Sequence, residues 1–169
     1  MIIDIRNDVP DFLGYVRQRV EQHMASSKPS DRVSRIECGF EIGQGNDVWL
    51  DFDTRVNPES DGEWTRQISK IPVLKRPKWP IWEAVPEGEQ VFFIDLQGQK
   101  VEVTTAENTD ELICTIVGDA LKHTLLTARD TGLFKSLSKA DKCEIGVMDV
   151  MSGYYGWPAY QDRGKENMV

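Results

Sequence analysis

The stretch Asp47-Val-Trp-Leu-Asp-Phe-Asp-Thr-Arg55, followed by Val56-Asn-Pro-Glu-Ser-Asp-Gly62 and Glu63-Trp-Thr-Arg66, decides how this chain is read. Val48, Leu50 and Phe52 share one parity and are apolar, while Trp49, Asp51, Asp53 and Arg55 take the other. Alternation of this kind marks a β-strand with one face in a core and one in water. The watery face then carries a large aromatic flanked by carboxylates. It is either a solvated sheet surface or a recognition surface, and the functional reading turns on which.

Working outward from that strand, residues 33–42 also alternate, with Ile36, Cys38, Phe40 and Ile42 on one face and Glu37 and Glu41 on the other. Gly43-Gln-Gly-Asn46 tolerates positive φ and predicts a hairpin into a strand over 48–54. The turn at 57–62 leads to a third strand at 63–70, which completes an antiparallel meander. Residues 71–86 hold Pro72, Pro77, Pro80 and Pro86 and leave room only for a short helix at 81–85. Residues 91–94 and 100–104 flank Leu96-Gln-Gly-Gln99 and predict a second hairpin.

Two segments carry helical spacing instead. Phe12, Leu13, Val16, Val20 and Met24 predict a helix over 10–25, with Asp8 or Asp11 placed to accept from its first amides. Leu112, Ile113, Ile116, Val117, Ala120, Leu121 and Leu125 predict a longer one over 110–129, capped by Asn108 or Thr109 and ended by Gly132. A last strand at 144–151 precedes the aromatic run Gly153-Tyr-Tyr-Gly-Trp-Pro-Ala-Tyr160. This order predicts an α+β fold: an antiparallel or mixed sheet of about five to six strands with two main helices packed on one side. One domain is expected over 1–160, with a polar tail at 161–169.

A chain of 169 residues is long enough to bury a core without disulfides or metal. No run approaches the roughly 18 apolar residues of a membrane span, and the first residues lack the pattern of a signal peptide, so cytoplasmic location is the default expectation. A net charge of -8 and a pI near 4.8 repel phosphate backbones, which sets nucleic acid aside as a partner. An acidic surface suits a basic protein partner, or simply solubility.

The residues that might carry chemistry are sparse. Asp51 and Asp53 project from one strand face, and Glu37, Glu41 or Glu63 could join them to hold Mg²⁺ or Mn²⁺ in a hydrolase or nuclease. Against this, no nearby Lys or His completes a mechanism, and Arg55 and Arg66 make natural cross-strand partners for a solvated acidic face. Cys38, Cys114 and Cys143 form no Cys-x-x-Cys pair. Cys114 and His123 lie about 13–14 Å apart along one helix, too far for a nucleophile–base pair, and His23 has no ligand spacing. Gly43-x-Gly45 opens a strand rather than a helix, so it is a turn and not a phosphate cradle. Lys70, Lys75, Arg76 and Lys78 beside Trp79 and Trp82 read more simply as a tether over the sheet than as a single-strand nucleic-acid site. No catalytic residue, metal or cofactor is assigned.

The segments Asp51-Phe-Asp-Thr-Arg55, Asp61-Gly-Glu-Trp-Thr65 and Tyr155-Gly-Trp-Pro-x-Tyr160-x-x-Arg163, with the overall layout, resemble the small cytoplasmic immunity proteins that bacteria encode beside polymorphic or contact-delivered toxins. The resemblance is one of general character and carries over no functional residue. It implies an acidic single domain that occludes a toxin rather than catalysing a reaction. The expected role is therefore a non-catalytic protein-binding domain using Trp49, Asp51, Asp53, Arg55 and Glu63 against a basic partner. A carboxylate–metal enzyme on the same face and an accessory subunit of a complex are the alternatives.

Overall fold

The computed structural model describes residues 2–41, 48–54, 90–103, 109–150 and 153–158. The turns at 43–46 and 57–62, the strand at 63–70, the short helix at 81–85, the basic patch and the tail all lie outside the described residues. Strand β1 (Ile2–Asp4) runs through one 3-10 turn (Ile5–Asn7) into α1 (Val9–Ser26), and β2 (Val33–Phe40) and β3 (Val48–Asp53) follow. Then come β4 (Val91–Ile94), β5 (Lys100–Val103), α2 (Thr109–Asp130), β6 (Lys139–Asp149) and β7 (Gly156–Trp157).

The class is α+β as expected, but the described strands form two sheets rather than one. One has the order β1-β4-β5 and the other β3-β2-β6-β7. The split follows from two distant pairings. β1 lies parallel to β4, Ile2 opposite Phe92, and β2 lies parallel to β6, Ile36 opposite Ile145. The 91–94/100–103 hairpin is present, closed by Asp95, whose Oδ1 accepts from the amides of Gln97 and Gln99 at 3.0 and 2.8 Å. Gly98 takes the left-handed φ of +80° that this turn requires.

Both helices contribute their apolar stripes to one buried cluster. Phe12, Val16 and Val20 of α1 and Ile113, Val117, Leu121 and Leu125 of α2 share it with Ile36, Phe40, Leu50, Ile145, Val147 and Phe93. The long helix lies chiefly against α1 and β6 rather than against β4, although Val91 and Phe93 reach the same core. Asp8 stands at the N-cap of α1 with no side-chain capping bond. The C-terminal end of α2 closes as a Schellman turn: Gly132 (φ +78°) donates to Arg129 O at 2.9 Å and Leu133 to Ala128 O at 2.8 Å.

Helix α1 also holds the sheet by its edge. Leu50 pairs with Cys38 across β2 and β3, yet its own amide donates to the Tyr15 hydroxyl at 3.2 Å. Its carbonyl accepts from Nε and Nη2 of Arg19 at 3.3 and 3.1 Å. One turn further on, His23 stacks on Phe52 with ring centroids 4.5 Å apart. Tyr15, Arg19 and His23 recur every four residues, so one face of the helix runs along β3.

Candidate partner-binding face

Strand register places the residues of the face turned away from the core in rows. Trp49 of β3 lies opposite Gly39 of β2, which lies opposite Met148 of β6. The next row is Asp51, Glu37 and Gly146, and the third is Asp53, Arg35 and Glu144. Side chains of paired residues share a face, so these are neighbours in space as well as in register.

The rows show how the sequence shapes the face. Gly39 has no side chain, and the Trp49 indole lies over it so closely that a methyl group at residue 39 would meet the ring. Trp49 is therefore half-buried against its own sheet, neither fully exposed nor part of the core. In the next row Gly146 leaves a second gap. A Cβ there would lie 3.1 Å from the Trp157 carbonyl and 3.9 Å from an Arg35 guanidinium nitrogen.

Arg35 is the central cation among the described residues of this face. Its Nη2 lies 2.9 Å from Glu37 Oε2, and the side chains keep only 16% and 13% of their exposure. Asp53 and Glu144 flank it on the two neighbouring strands, and Asp51 stands beside Glu37. Register thus sets four carboxylates on the same face as this guanidinium, with Glu37 in direct contact with it. Among the described residues no group of three or more His, Cys, Asp or Glu side chains could hold a metal ion.

Of the expected site residues, Trp49, Asp51 and Asp53 come together on β3, while Arg55 and Glu63 lie outside the described residues. Glu37 joins them as the alternation allowed, opposite Asp51. Arg35 and Glu144 were missed. Arg35 had a signal, being two residues from Glu37 on the same strand, whereas Glu144 reaches the face only through the distant β2–β6 pairing.

The three cysteines belong to the core. Cys38, Cys114 and Cys143 are free and buried, and burial pushes the Cys143 thiol up to about 11 and the Cys38 thiol up as well. Burial is the opposite of what activates a nucleophilic cysteine. His123 is exposed on α2 and not within its apolar stripe. The described part of the aromatic run, residues 153–158, docks on α2 through Tyr155 and Trp157. The Tyr155 ring covers Gly118, its hydroxyl donates to Asp119 at 2.8 Å, and Lys122 Nζ lies 5.2 Å from the Trp157 ring centre. No helix among the described residues is long and apolar enough to cross a membrane.

Comparison with known proteins finds no matching family model, no matching curated protein and no matching solved structure.

Proposed function

We propose that this chain is a non-catalytic binding protein of the immunity or antitoxin type, which occludes a basic protein partner with the outer face of its four-stranded sheet. The observation that carries the reading is the register that sets Glu37, Asp51, Asp53 and Glu144 on one face with the guanidinium of Arg35, and Trp49 at the end of the array. The net charge of -8 extends the same field over the whole molecule. Carboxylates so placed attract Lys and Arg during encounter, and a flat indole supplies apolar contact area once they have docked.

The test is capture from the source cell, or with the product of the neighbouring gene, by the parent and by a Trp49→Ala, Asp51→Asn, Asp53→Asn variant. A basic protein retained by the parent and lost by the folded variant supports the reading. Salt should slow association by screening beyond about 8–10 Å. Trp49→Ala should act mainly on dissociation, and the two Asn substitutions mainly on association. Equal capture by both proteins removes this face from consideration.

A further inference from the structure

Among the described residues, the outer edge of β3 is closed at Leu50 by a helix and not by a strand. Leu50 turns its N–H and C=O away from β2, where a further strand of the sheet would pair with them. Both are instead taken by side chains of α1, the N–H by Tyr15 and the C=O by the fork of Arg19. Arg19 is 7% exposed, and its remaining terminal nitrogen donates to Gln22 Oε1 at 2.9 Å. Burying a guanidinium is costly, and an apolar residue would pack α1 onto the sheet at least as well. What Arg19 and Tyr15 supply, and Leu or Phe would not, is a donor and an acceptor in the positions of a neighbouring strand's backbone.

An edge left open is a template for another strand. The sequence of β3 fits a second copy of itself. A two-fold axis through Leu50 sets Val48 opposite Phe52 and Trp49 opposite Asp51, so no two like charges face each other between residues 48 and 52. We infer that Tyr15 and Arg19 act as a stand-in strand, holding the β3 edge closed against antiparallel pairing with β3 of a second copy of this chain. This inference stands apart from the proposed function, because it concerns the sheet's edge and not its outer face.

The experiment compares the parent with a Tyr15→Phe, Arg19→Met variant by sedimentation velocity and by amide exchange across a range of protein concentrations. In dilute solution the Leu50 amide of the variant should exchange about tenfold faster than in the parent. At high concentration the variant's mass should double and the amide should regain protection, while the parent changes in neither. Adding Val48→Pro, which removes an outward N–H at the first residue of the strand, should abolish the dimer and leave the fold intact. Should the double variant not fold, Tyr15→Phe alone carries the test through the concentration dependence of Leu50 exchange. A folded variant whose mass and exchange do not change with concentration overturns the inference. So does an association that Val48→Pro leaves untouched.

Discussion

The indole of Trp49 lies directly on the backbone of Gly39 in the neighbouring strand, and only glycine leaves room for it. The aromatic that looked most like an exposed anchor is thus also a lid on a gap in its own sheet. Both roles are compatible, because a flat ring covers with one side and presents the other.

Gly39→Ala should therefore force the indole out of its seat and cost about 1–3 kcal/mol, the usual scale of overpacking. Equilibrium denaturation measures this. In the Trp49→Ala background the same substitution should cost much less, since the two residues share one contact. Full additivity of the two changes would show that the ring is not what Gly39 accommodates.

Two helical glycines should respond in opposite directions. Gly14 in α1 has open space around it, so Gly14→Ala should stabilise the protein by about 0.5–1 kcal/mol. Gly118 in α2 lies under the Tyr155 ring, and Gly118→Ala should destabilise despite the same gain in helix propensity. A pair of melting curves decides it. Stabilisation by both would mean that residues 153–158 do not dock on α2.

Stability should fall as pH drops below neutral, in part through His23. Burial lowers its folded pKa below the ordinary 6.5, with Arg19 acting in the same direction and Asp31 opposing. The unfolded chain therefore binds the extra proton first. The stability held by neutral His23 is present above about pH 6.5 and is lost as pH falls from there through the folded value. Melting temperatures at about pH 7.5 and about pH 5.5 should differ more for the parent than for His23→Gln. Equal differences would clear His23 of any part in the decline.

The cysteines should be silent in the native protein. With its pKa near 11, Cys143 is about one part in a thousand thiolate at pH 8, and all three thiols are buried. A disulfide reagent should label none of them quickly, and all three once denaturant is added. One fast thiol in native buffer would place a cysteine at the surface.

What could be read in advance was whatever the chain states locally. The stripe from Ile113 to Leu125 announced α2, the alternation of Ile36, Cys38 and Phe40 announced β2, and Gly98 marked its hairpin. Strand β1 is three residues long, too short to alternate visibly, and exists because Phe92 lies beside Ile2. Strand β6 begins at Lys139, five residues before the start expected at 144. The division into two sheets rests on these distant pairings, which no local pattern encodes. The candidate face was legible to the same extent. Parity alone gave Trp49, Asp51 and Asp53, but Arg35 and Glu144 became their neighbours only through register. Gly39 was in plain view inside a strand, where glycine often marks a close approach.

The place of β2 at the centre of its sheet has a consequence during synthesis. Its two partners leave the ribosome far apart in time: β3 follows at once, while β6 comes about 100 residues later. At about 5–20 residues per second, the β2 edge that will receive Ile145 and Val147 waits on the order of ten seconds. Throughout that wait the nascent hairpin displays Ile36, Cys38, Phe40 and Leu50 with no α2 or β6 to cover them. A chaperone that holds apolar strands should find its strongest grip on this chain in that interval, and release it when β6 arrives.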